Sequence, residues 1–169
     1  ILLVAAAGNE QSFADKKPYY PASYNLKNIL SVAAIDEKNQ LAEFSNYGKK
    51  NVDIAGPGVK IWSSLPGNKY GYLSGTSQAT AYLTGVAALL LQQNPGLHDP
   101  EQVIQRIQIS RKKVQKLEEK TQFSGIANTQ KSLSLQAETN SLNGGFTQHH
   151  GIMKNWFLLN SKDSILNFK

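Results

Sequence analysis

Between Lys69 and Asp99 the chain carries no Asp, Glu, Lys or Arg. Within that gap residues 78–93, QATAYLTGVAALLLQQ, read as a helix with no charge on any face. A helix of that kind belongs inside a protein, so the pattern predicts a central helix, buried all round, in an α/β layer structure. Thr80, Thr84 and Gly85 interrupt it. No run reaches the roughly 18 consecutive apolar residues that a membrane-spanning helix needs.

The flanking segments supply the sheet. Residues 1–7, ILLVAAA, are continuously apolar and end at Gly8-Asn9. That is the pattern of a parallel strand covered on both faces rather than the alternation of a half-exposed one. Residues 28–35, NILSVAAI, repeat it, and residues 51–55 before Gly56-Pro57-Gly58 read as a third short strand. Residues 60–65 and 69–73 form a hairpin around Pro66-Gly67-Asn68. Asn94-Pro95-Gly96 stops the uncharged helix. Asp99, Pro100 and Gln102 open another, as N-cap, first helical residue and closing member of a capping box, with Val103, Ile104 and Ile107 as its inner face. Residues 111–120 are charged and surface-like, residues 125–128 form a short edge strand, and residues 129–137 a closing helix. Residues 138–151 read as a polar linker around Asn143-Gly144-Gly145. Residues 152–169, with Trp156, Phe157, Leu158 and Leu159, are too short to fold alone and read as a docked tail or the start of a further module.

Charge narrows the partners. The 169 residues carry a net +6, unevenly spread: residues 1–100 hold 8 Lys against 7 Asp or Glu, and residues 101–169 hold 10 Lys or Arg against 5. The main body is close to neutral, which disfavours nucleic acid as a partner. With no Cys there is no disulfide framework, no thiolate nucleophile and no Cys-ligated zinc. The chain opens on a strand without an initiator Met, as a piece of a longer polypeptide would.

Chemistry gathers at two junctions. Leu73-Ser74-Gly75-Thr76-Ser77-Gln78-Ala79 places hydroxyls between a strand and the first turn of the uncharged helix. Free amides and the positive end of the helix dipole there favour the oxyanion formed when a serine attacks an acyl carbon. Gly75 permits a tight turn and Ala79 leaves room beside Ser77. A lone G-T-S is also what a simple helix cap looks like. The second junction is Ala5-Ala6-Ala7-Gly8-Asn9, small residues and a neutral amide at the carboxyl end of a strand, where α/β proteins place ligands. By itself an Asn after Gly is an ordinary turn residue.

Taken together these blocks resemble the subtilisin-like serine proteases, or subtilases. AAAGN, then YYPASYNLKNILSVAAID, then FSNYGKKNVDIAGPGVKIWSSLPGNKYGYLSGTSQA and a long Ala- and Leu-rich helix are similar to that family's blocks in that family's order, ending near GIANTQKSL. The resemblance implies a subtilisin-like three-layer α/β fold with a mostly parallel sheet, of which residues 1–137 would be the C-terminal half of the catalytic domain. It implies Ser77 as nucleophile, Asn9 and the Ser77 amide as oxyanion donors, and Ala6, Ala7 and Gly8 as one wall of the specificity pocket. Its partners would be a protein or peptide substrate and the upstream half of the same domain. It further implies a secreted or extracytoplasmic location and, in some members, structural calcium, although no ligand set can be matched here.

The departures are as specific as the matches. The family orders its triad Asp, His, Ser. Before Ser77 the Asp residues are Asp15, Asp36 and Asp53, while His98, His149 and His150 all follow it. The triad Asp and His are therefore expected upstream of Ile1. Gln78 and Ala81 stand where the family usually has Met and Pro. One alternative is a non-catalytic pseudoprotease or interaction fragment of the same fold. Another is an α/β-hydrolase using Ser77, Asp99 and His149 or His150, although Ala79 replaces the Gly its elbow wants. His149-His150 as a metal site and Arg106, Arg111, Lys112, Lys113 and Lys116 as an acidic-surface binder are weaker readings beside a solvated turn and helix face.

Overall fold

The computed structural model describes the backbone of residues 1–142 and the side chains of residues 1–135. Strands β1 (Leu3–Ala6), β2 (Ile29–Ile35) and β3 (Ile54–Pro57) pair in parallel, Val4 opposite Leu30 and Val32 opposite Ile54. All seven residues of β2 are buried, as a continuous apolar run between two covered faces requires. Strands β4 (Ile61–Leu65) and β5 (Lys69–Leu73) form a separate antiparallel hairpin. Two short strands complete the main sheet: β6 (Lys112–Lys113), antiparallel, and β7 (Gly125–Ile126), parallel to β3, in the order β1-β2-β3-β7-β6. The expected edge strand at residues 125–128 is thus an inner one. Lys112 and Lys113 take the edge, where exposed lysines discourage further strand pairing.

Helix α1 (Thr76–Gln93) lies on the sheet, with Ala79, Leu83, Val86, Ala87 and Leu90 packed against Leu30, Val32, Ala34 and Ile54. Helix α2 (Pro100–Ser110) joins the same core through Val103, Ile104 and Ile107. Asp99 caps it by accepting from the Glu101 N–H at 3.0 Å. The exposed Gln102 returns no side-chain bond, so the capping box stays open. The opposite face of the sheet, Ala33, Ile35 and Ala55, is covered by Ala14 and Val52 from irregular segments and by two one-turn 3-10 helices, Ala22–Tyr24 and Gln115–Leu117, the second through Leu117.

Two expectations change. Helix α1 is not buried all round: Tyr82, Leu89 and Leu91 are each more than 40% exposed on the side away from the sheet. An uncharged helix can pack on every side; among the described residues its main contacts are with β1, β2, β3 and α2, and Tyr82 bonds Thr129 at the start of the third helix. Helix α3 (Thr129–Leu142) runs past Ala137, so the first residues of the expected linker are helical. The chain divides into Ile1–Leu135 and Gln136–Lys169. His149, His150 and the segment 152–169 lie outside the described residues.

Candidate active site

At the end of β1 the chain turns at Gly8 with φ +106°, a value that side chains rarely adopt. A Cβ there would also collide with the Asn46 carboxamide. Asn46, 1% exposed, shapes the turn. Its Nδ2 donates to the Ala7 carbonyl (2.8 Å) and to Glu10 Oε2 (2.7 Å), and its Oδ1 accepts from the N–H groups of Glu10 and Ser12. Asn9 is left exposed at the tip.

Thr76, the first residue of α1, is fully buried and joins the two junctions. Its Oγ1 accepts from the Gly8 N–H at 3.2 Å and donates to Asn9 Oδ1 at 2.9 Å. Its own N–H donates to the same Oδ1 at 2.8 Å. Both bonds require an oxygen at that position, which fixes the orientation of the Asn9 amide and turns Nδ2 away from Thr76. Asn9 Nδ2 and the Ser77 backbone nitrogen then lie 3.6 and 3.7 Å from the point where a Cβ on Gly75 would stand. Two N–H donors thus border one small space that the absence of a side chain at Gly75 keeps open. Gln78 Oε1, 2.7 Å from that point, borders it too. Ser77 is exposed in the first turn of an 18-residue helix, whose dipole adds positive potential there.

Each sequence-derived residue can be placed. Ser77 and Asn9 meet at this space. Ala6 is half-buried at the end of β1, whereas the Ala7 side chain points into the core beside Ala14 and Ala33, so only its backbone can border the cleft. Gly8 is buried under Thr76. Asn46 and the linking role of Thr76 were not read from sequence; Asn46 is 38 residues from Gly8 and no local pattern pairs them.

Among the described residues Ser77 has no hydrogen bond to a histidine. His98 is exposed beyond the far end of α1, a helix about 27 Å long at ~1.5 Å per residue. The Asp side chains serve the backbone: Asp15 accepts from the Lys50 and Asn51 N–H groups, Asp36 from those of Lys38 and Gln40. Asp99 is occupied as the α2 cap, which removes it from any hydrolase triad with Ser77. No three His, Cys, Asp or Glu side chains converge among the described residues.

Elsewhere, at the start of β3, Asp53 accepts from the Ser31 N–H at 2.6 Å beside a cavity of about 340 Å³. Burial raises its pKa from 3.8 to about 6, with the Ser31 bond working in the opposite direction.

A sequence model of the subtilase family matches residues 1–147. The chain belongs to the subtilase family. This subtilase is 44% identical over 105 residues to the thermophilic serine proteinase of Bacillus sp. (strain AK1), covering 62% of the chain and 25% of that protein. It is 45% identical over 95 residues to the M-protease of Shouchella clausii (strain KSM-K16), covering 56% of the chain and 23% of that protein. Among solved structures it resembles the subtilase cytotoxin SubAB, with a TM-score of 0.73 and 29% identity over 85% of the chain and 51% of the other. It also resembles the self-cleaved protease domain of PatA, with a TM-score of 0.68 and 32% identity over 82% of the chain and 51% of the other. The chain spans about half the length of these structures and about a quarter of these curated relatives.

Proposed function

We propose that the protein to which this chain belongs is a serine endopeptidase that hydrolyses peptide bonds through an acyl-enzyme at Ser77. The observation that carries the reading is the convergence of Asn9 Nδ2 and the Ser77 N–H on the space beside Gly75. A carbonyl seated there receives the Ser77 Oγ as a new bond forms, and the displaced π electrons rest on an oxygen facing both donors. The hydroxyl proton passes to a histidine oriented by an aspartate, both proposed to come from the upstream half of the catalytic domain. Collapse of the adduct breaks the C–N bond and returns the proton to the leaving amine. Water then enters by the same route and releases Ser77. Backbone at Ala6, Ala7 and Gly8 forms one wall of the pocket for the residue before the scissile bond.

An upstream partner is supported by the open face of α1, where Ala81, Tyr82, Gly85, Ala88 and Leu89 line a shallow apolar groove. An extracytoplasmic location is proposed from family resemblance; no described helix is long and apolar enough to cross a membrane.

Fluorophosphonate labelling of the native protein, with mass mapping of the modified peptide, tests the reading. Label on Ser77 with a His and an Asp upstream of Ile1 is the expected result. A folded full-length protein that leaves Ser77 unlabelled overturns it in favour of a non-catalytic subtilase fold, because a serine without its base is a weak nucleophile at neutral pH.

A further inference from the structure

Gln78 is the third helical residue of α1 and stands where the family usually has Met. A glutamine at that position ordinarily closes a capping box by accepting from the N–H of the residue just before the helix. Here that residue is Gly75, whose N–H donates instead to the Gly58 carbonyl at 2.8 Å. The half-buried Gln78 carboxamide makes no hydrogen bond among the described residues. Its Oε1 lies 2.7 Å from the point where a Cβ on Gly75 would stand, the same point that Asn9 Nδ2 and the Ser77 nitrogen approach to 3.6 and 3.7 Å. Helix capping does not account for that placement. The side chain faces the space in which the oxyanion would form.

Two carboxamides thus border one space, and they differ in what holds them. Asn9 Oδ1 accepts from both the N–H and the hydroxyl of Thr76, which settles which end of that amide is oxygen and which is nitrogen. Nothing settles it for Gln78. Its two amide ends are nearly equal in size and its last torsion is broad and two-fold, so half a turn exchanges Oε1 for Nε2 at small cost. With Oε1 inward the amide opposes a negative oxygen; with Nε2 inward it donates to one. Charge developing in the space therefore draws the donor end inward. A bond of this kind is stronger in the transition state than to the substrate carbonyl, so it acts on turnover rather than on binding. A Met thioether has no N–H to give.

We infer that Gln78 is a catalytic residue, its Nε2 being a third donor to the oxyanion beside Asn9 Nδ2 and the Ser77 N–H. The inference rests on the protease reading of Ser77. The rival account is that Gln78 is a polar residue that only fills the room beside Gly75, in which case exchanging it for Met costs nothing.

The test compares full-length wild-type protein with Gln78→Met and Gln78→Glu, each shown to be folded by its thermal melt. In steady-state cleavage of a peptide chosen from a library, Gln78→Met should lower kcat roughly tenfold, the size of one net hydrogen bond, with KM unchanged. Gln78→Glu keeps the length but sets a carboxylate beside the oxyanion, and should lower kcat by at least about 100-fold at neutral pH. A second measurement needs no turnover. A peptidyl trifluoromethyl ketone adds to Ser77 as a hemiketal, and carbon NMR follows the ionisation of its oxygen. Donors to the charged form favour it, so that oxygen should ionise about one pH unit higher in Gln78→Met than in wild type. A kcat in Gln78→Met that matches or exceeds wild type, or a hemiketal that ionises at the same pH in both, overturns the inference and leaves the protease reading standing. Wild-type protein that cleaves no member of the library and takes up no ketone at Ser77 defeats the protease reading, and the inference with it.

Discussion

Asn9 Oδ1 accepts twice from Thr76, once from its N–H and once from its hydroxyl, so the exposed amide at the tip of the turn is held by a residue with no exposure of its own. Thr76→Val keeps the shape and removes that hydroxyl. It strands the Gly8 N–H in a buried setting, which should cost about 1–3 kcal/mol of stability in urea titrations of the full-length protein. Steady-state assays should show a fall in kcat with little change in KM, because Nδ2 is then less well aimed. Asn9→Ala should fall further, by about 100- to 1000-fold in kcat; that range is the measured value for subtilisin, a member of the same family, rather than one obtained from this geometry. Asp53 carries a different prediction. Its folded pKa of about 6 lies above the ordinary 3.8, so between these values the folded chain keeps a proton that the unfolded chain has lost. Stability should therefore fall as pH rises from about 4 to about 6, by on the order of 3 kcal/mol. Asp53→Asn should flatten that slope and raise the urea midpoint at pH 7, still accepting from the Ser31 N–H; an unchanged slope would assign the pH dependence to other groups.

Elements meet the same logic where β3 passes under α1. A Cβ on Gly56 would stand 2.5 Å from Leu83 Cδ2, so strand and helix touch there without an intervening side chain. Gly56→Ala should cost about 1–3 kcal/mol by overpacking, and Leu83→Ala about 2–5 kcal/mol by leaving a cavity. The double variant should lose less than the two together, since the new methyl enters the vacated space. Simple additivity in a double-mutant cycle would show that strand and helix are not in direct contact. The extents of β2, β4, β5 and α2 were legible in sequence because apolar runs, turn residues and a cap announce them locally. Asn51 at the start of the expected third strand is a turn residue and Val52 and Asp53 carry no regular structure, and β3 instead reaches Pro57, because β3 is defined by its pairing with Val32 to Ile35 across the sheet. The rank of β7 as an inner strand was not legible either, since nothing within residues 125–128 records that Lys112 and Lys113 will pair beside them.

At the scale of the molecule, the described residues bury one face of α1 and leave the other apolar and open, and among them β1 is an edge strand with Leu3 41% exposed. The isolated 169 residues should give no cooperative thermal melt and should bind a hydrophobic dye, while co-expression with the proposed upstream half should restore a single transition. A sharp melt of the chain alone would show that the open surfaces are tolerated. The sequence by itself determined the uncharged helix, the apolar parallel strands, the Ser77 junction and the Asn9 turn, because each is written in residues adjacent along the chain. Tertiary structure alone decided that α1 has an uncovered face, that Ala7 turns its side chain into the core, and that Asn46 and Thr76 hold the donors in place. The hydrogen bonds of Asn46 and Thr76 join residues 34 to 68 positions apart, a distance over which local pattern carries no information.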